Sequence, residues 1–242
     1  METTMPKRTR VISVAWGALA VIASSYGLQR ARDTAALSAR RNAFKSCVWA
    51  LTMEPHAAPR ATNRNAMGKD VYSWRLEQHL LLANSGSNES PPGLSRVNVA
   101  WDDPSNQEFR EESGPTEFCY DGENHTCVFA ITGPGTAFDE AAASNWEEVN
   151  EETIIIVEVF NSQTHWMAPG NFDIRSIPNT INSAEEIGIS SKHRGGAHIG
   201  FADGEVWFIS ETVPFDELKN FFTIDGARMN NRESLLGKYR IH

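Results

Sequence analysis

Between residues 190 and 210 the chain reads SSKHRGGAHIGFADGEVWFIS, which sets His193, His198 and Asp203 within eleven positions. Imidazoles beside a carboxylate are the groups that acid–base catalysis or a metal centre requires. Glu158 stands inside TIIIVEVFN (153–161), a continuous apolar run where an unpaired carboxylate is costly. It is expected to pair with His165 or His193, or to lie on a face open to water. Glu158, His165 and His193 together have the atom types for zinc, but their spacing matches no metal-ligand pattern. Asp102, Asp103 and Asn106, with Trp101 and Ser105, place oxygen atoms on a loop as a calcium ion requires; the plainer reading is a solvated acidic turn begun by Pro104. Apart from that calcium option, no cofactor is expected. Cys119 and Cys127 flank the turn-rich YDGENHT, and two readings stand: a disulfide formed in an oxidising compartment, or two separate buried thiols. Cys47 is left over, expected to pack rather than react. No serine sits in a Gly-x-Ser-x-Gly context, and TGPGTAF (132–138) lacks the Lys and Ser/Thr of a phosphate loop.

The elements that would position these residues follow from charge and hydropathy. The 242 residues carry 22 Lys and Arg against 31 Asp and Glu, a net charge of −9. Residues 1–50 alone carry +6, so the remainder is strongly acidic and repels phosphate backbones; nucleic acid is excluded as a partner. Within the basic front end, Val11–Leu28 contains no charged residue. As a helix it spans about 27 Å, close to the thickness of a bilayer's hydrocarbon core. The rival reading is a cleaved secretory signal, with Ala23 and Ser25 as the small residues before the cut. Arg30, Arg32, Arg40 and Arg41 follow the stretch, and the positive-inside rule alone would keep that side in the cytoplasm.

From Gln29 to Met53 there is no Gly or Pro, and Leu37, Phe44, Val48 and Leu51 fall on one helical face. Pro55 ends the pattern. One rod from Val11 to Met53 or two helices hinged near Tyr26 and Gly27 both fit. Residues 56–70 and 85–95 read as loop, and 71–84 as a short helix or a strand and turn. Strands are expected over 126–132, 153–161, 197–202 and 205–210. The fold class is α+β, with the long helix laid across one face of an antiparallel sheet.

Asp203-Gly204 between two alternating strands predicts a two-residue hairpin turn with positive φ at both residues. That register pairs Phe201 with Val206, Ile199 with Phe208, and Gly200 with Trp207, the indole covering the glycine. His198 then lies on the Trp207 side as a half-buried packing residue, and Asp203 has a structural task without catalysis.

His193, nine intervening residues, then Asp203-Gly204 and an apolar strand resembles the C-terminal H-x(9)-DG signature of a bacterial pilin-like family of prepilin-type processing-associated proteins, whose function is uncharacterised. VFAITGPGTAFDE (128–140), the stretch 153–174, VAWDDPSN (99–106), YSWRLEQHLL (72–81) and RARDTAALSARRNAFKS (30–46) resemble its other segments in the same order. The resemblance implies a type IV pilin or pseudopilin-like fold: residues 1–10 a cytoplasmic stub, 11–28 a single-pass helix in the inner membrane, 29–55 the periplasmic half of the long helix, 56–220 a globular domain in the periplasm, and 221–242 a tail. It further implies a non-enzymatic envelope protein whose partners are the inner membrane and other envelope or pilin-like proteins. Residues 7–15, KRTRVISVA, lack the Gly and the Phe-Thr-Leu-x-Glu of the usual prepilin signal. The alternative is a periplasmic ligand- or metal-binding module with a site around His165, His193 and Glu158. The tail, polar and basic-leaning, is expected to be partly disordered.

Overall fold

The computed structural model describes residues 7–52, 60–84, 99–139 and 146–241, and the side chains of all of these except 7–26 and 81–84. Pro55 and the expected loop at 85–95 lie outside the described residues. The chain divides into two compact units, residues 1–40 and 41–242. Helix α1 (Lys7–Thr52) is continuous over 46 residues, with no hinge at Tyr26 or Gly27. Among the described residues no helix is long and apolar enough to cross a membrane; of Val11–Leu28, only Gly27 and Leu28 have described side chains.

In the second unit, the predicted face of α1 is buried. Phe44, Val48 and Leu51 are in the core and Cys47 joins them, whereas Leu37, in the first unit, is half-buried. The segment read as helix or strand is both: β1 (Thr62–Arg64) pairs with β2 (Asp70–Ser73), which runs straight into α2 (Trp74–Asn84). A short helix, α3 (Gln107–Glu111), follows. The main sheet contains β3 (Val128–Thr132), β4 (Ile154–Glu158), β5 (Phe172–Asp173), β6 (Gly196–Phe201), β7 (Val206–Ser210) and β8 (Arg240–Ile241). Their order is β5-β3-β4-β6-β7-β8, antiparallel throughout except for the β3–β5 edge. The protein is α+β, as its hydropathy pattern requires.

Both faces of this sheet are buried, which is why β4 reads as an unbroken apolar run rather than an alternating one. One face, with Ala130, Ile156 and Val206, packs on the end of α1 and on Trp74 of α2. The other, with Ile131, Val157, Ile199, Phe201 and Trp207, is covered by Ile177, Ile181 and Ile189 and by α4 (Phe215–Lys219), α5 (Ile224–Met229) and α6 (Arg232–Leu236). Residues 221–241 are therefore folded, contrary to the expected partly disordered tail. Phe221, Phe222, Ala227 and Leu236 are buried there, and β8 adds a strand beside β7. The polarity of the segment misled because a few apolar residues, Phe221, Phe222, Ala227 and Leu236, suffice to hold it on the sheet, whereas Met229 is exposed.

The β6–β7 hairpin is one residue longer than expected. Gly204 N donates to Phe201 O (3.1 Å), Phe201 N donates to Glu205 O (2.9 Å), and Asp203 Oδ1 accepts from Glu205 N (2.9 Å). Gly204 alone takes positive φ (91°) in this loop, the glycine bulge of a three-residue turn. The register is thus His198 with Phe208, Ile199 with Trp207 and Gly200 with Val206. A one-residue slip moves every side chain to the other face. Trp207 sits edge-on to Phe201 (5.3 Å between rings), and Gly200 is covered by α1 instead of by the indole.

At Gly200 the helix comes so near that a Cβ would stand 2.5 Å from Val48 Cγ2 and 2.8 Å from Ile156 Cγ1. Gly200→Ala should lower stability by about 1–3 kcal/mol through overpacking. Adding Val48→Ala should recover part of that loss, as read by urea unfolding.

Candidate functional site

Glu158 closes β4, and its side chain has no solvent exposure. The β4–β6 register sets it across from His198. His198 Nδ1 is 2.7 Å from Oε2, the His198 backbone N–H donates to the same oxygen (3.0 Å), and Tyr120 Oη donates to Oε1 (2.8 Å). Three donors on two oxygens is the arrangement an ionised carboxylate accepts. With Glu158 as acceptor, the His198 proton belongs on Nδ1. Nε2 is then left with no hydrogen bond among the described residues. Phe44 stacks on the His198 ring at 5.8 Å and Phe208 tilts over it at 4.9 Å. Burial, and then the charge of Glu158, push the Tyr120 phenol far above its ordinary value, so it remains a donor. The Lys192 backbone N–H donates to Tyr120 Oη (3.3 Å), and Lys192 Nζ lies 4.0 Å from the centre of the Tyr120 ring.

The expected partners of Glu158 were His165, His193 or water; its side chain is closed to water and accepts hydrogen bonds from His198 and Tyr120. Apolar periodicity could not reveal this, because the pairing depends on β4 and β6 being neighbours. His198 correspondingly changes from a packing residue to the hydrogen-bond partner of a buried carboxylate. His165 is half-buried elsewhere: its ring stacks on Trp101 (5.1 Å), Nε2 donates to Arg110 O (3.1 Å) and Nδ1 accepts from Met167 N (3.2 Å). His193 follows a turn in which its amide donates to Ser191 Oγ (3.1 Å), and its ring meets His198 at a right angle, 6.4 Å between centroids. Among the described residues, no three His, Cys, Asp or Glu side chains are grouped to hold a metal.

Asp203 and Gly204 build the hairpin loop, and Asp203 also takes a salt bridge from Arg232 of α6. The Arg232 guanidinium lies over Phe201 (4.5 Å) and Trp207 (5.3 Å). In the loop considered for calcium, Asp103 caps a short 3-10 turn, its Oδ1 accepting from Ser105 N (2.9 Å) and Ser105 Oγ (2.6 Å). Those bonds hold its carboxyl below the ordinary value. Asn106 Nδ2 donates to Ala100 O, and Asp102 contributes its backbone carbonyl to Arg110. Cys119 and Cys127 are buried thiols without a bridge between them. Cys119 pairs across from Thr126, and Cys127 Sγ donates to Phe118 O (3.2 Å). Cys47 is packed as expected, its thiol donating to Glu117 O (3.2 Å).

Sequence reasoning passed over Arg75. It is fully buried at the start of α2, and its guanidinium donates to the carbonyls of Trp166, Val128, Gly170 and Ala168 at 2.8–3.1 Å. Burial lowers its pKa to about 9, which leaves it charged at neutral pH. A charged residue at a helix start gives no signal that loop carbonyls will converge on it.

Residues 116–216 match the family described as protein of unknown function, DUF1559. The matched segment runs from before Tyr120 into α4 and so contains Glu158, His198, His193, Asp203 and Gly204; α1 and the C-terminal helices after α4 lie outside it. No curated protein and no solved structure matches the chain.

His198→Phe strands the buried Glu158 charge and should cost about 3–5 kcal/mol, most of it restored in the double variant with Glu158→Leu. Chemical unfolding of both single variants and of the double variant checks this; losses that simply add would show that the pair is not coupled. Burial lowers the pKa of both His79 and His165 below 6.5. The unfolded chain therefore binds protons first, so this contribution is intact above about pH 6.5 and is lost as pH falls through and below that value. Melting temperatures between pH 7.5 and 5 should fall less in His79→Gln/His165→Gln than in the parent.

Proposed function

We propose that the chain is a non-enzymatic, membrane-anchored protein of the bacterial cell envelope, related in architecture to type IV pilins and pseudopilins. In this reading residues 11–28 cross the inner membrane and the sheet domain works in the periplasm through contacts with envelope proteins. The observation that carries it is a single unbroken helix of 46 residues, whose front contains the uncharged Val11–Leu28 stretch and whose end contributes Phe44, Val48 and Leu51 to a sheet domain's core. The H-x(9)-DG resemblance supports the same reading. The non-enzymatic character rests on how the reactive residues are used: Glu158 and His198 are hydrogen-bonded to each other out of reach of solvent, and Asp203 holds a turn and an arginine.

Separation of host membranes tests the anchor. The protein should stay in the membrane fraction after alkaline extraction, with an intact mass that includes residues 11–28. A soluble chain cut between Ala23 and Arg32 would overturn the proposal.

A further inference from the structure

A cavity of about 550 Å3 opens between the 182–195 segment, Phe160 and Asn161, and Glu211 at the end of the β6–β7 hairpin away from Asp203. That volume lies within the range of small-molecule sites. Its lining carries charges of both signs: Lys192 and Arg194 on one hand, Glu185, Glu186 and Glu211 on the other. Among the described residues none of these five forms a salt bridge, although all line the same space. Two of them are fixed in place. Lys192 rests on the Tyr120 ring, and Glu211 Oε2 accepts from Asn182 Nδ2 at 2.7 Å. Asn182 is itself held by Gly196 O and by the amide of Ser191, in a left-handed backbone conformation (φ 58°) that Asn161, across the cavity, shares (φ 55°). Such conformations persist where surrounding bonds impose them and gather at ligand sites. Phe160 and Ile187 add exposed apolar surface to the lining. His193 also lines the cavity, and its ring abuts that of the fully buried His198, whose Nε2 has no hydrogen bond among the described residues.

Opposite charges that do not neutralise each other around one cavity are complementary to a molecule bearing both. We propose that this cavity binds a small zwitterion, with ammonium and carboxylate on an apolar frame, such as a free α-amino acid. The glutamates take the ammonium, Lys192 and Arg194 take the carboxylate, and Phe160 and Ile187 meet the side chain. The site does not depend on the anchor proposed above, because its lining lies wholly in the second unit.

The test is titration calorimetry at low salt on the full chain in detergent, with the twenty L-amino acids first in pools and then singly, and with butyrate and butylamine as single-charge controls. Saturable binding of at least one amino acid is expected, with neither control binding at the same concentration. Arg194→Gln and Glu186→Gln, both at exposed positions, should each weaken it roughly tenfold or more without changing the melting temperature. No saturable heat from any amino acid, equal binding of butyrate or butylamine, or affinity unchanged in both variants would overturn the proposal.

Discussion

A carboxylate with no path to water has to be met inside the protein, and much of the sheet domain is arranged around meeting one. Removing an ion from water costs several kcal/mol, repaid only by close donors of good geometry. Glu158 obtains them from two places far apart in sequence: the hydroxyl of Tyr120, and the ring and amide of His198. Both must be in register for either to count. The requirement therefore ties the 116–127 loop to β4 and fixes β4 against β6 more tightly than apolar packing alone, since isoleucines tolerate a shifted neighbour better than a hydrogen-bonded carboxylate does. The end of α1 closes the arrangement from above, with Phe44 laid on the imidazole.

Arg75 solves the complementary problem. It brings a buried positive charge without a carboxylate, and satisfies it with four backbone carbonyls from β3 and the 166–170 loop. Carbonyls in irregular backbone would otherwise be buried without partners, so the arginine makes a dense loop affordable beside the core. Glu158 and Arg75 thus do for the loops what main-chain ladders do for the strands. Close packing supplies the remaining constraint: Gly200 has no side chain because Val48 of α1 occupies that space.

The residues that first invite a catalytic reading turn out to be spent in separate places. His193 and Asp203 stand near opposite ends of β6, one beside the cavity and its buried imidazole neighbour, the other clamped to Arg232. A fixed separation of ten positions reflects the length of one strand and its turn, which places the two side chains apart instead of together. His165 belongs to a third environment, against Trp101 and Arg110.

What the sequence determined by itself is local. The helical face through Phe44, Val48 and Leu51, the positions of β3, β4, β6 and β7, the presence of a hairpin at Asp203-Gly204 and the α+β class all follow from periodicity and turn chemistry, which act over a few residues. Tertiary structure decided the rest. The loop's length set the hairpin register, because Gly204 alone takes the left-handed conformation while Asp203 bonds the Glu205 amide. The partner of Glu158 was decided by which strand lies beside β4, and the order of residues 221–241 by the sheet face they cover. The last two depend on contacts between residues tens of positions apart, and a one-dimensional pattern records which side chains are to be buried but not what they will be buried against.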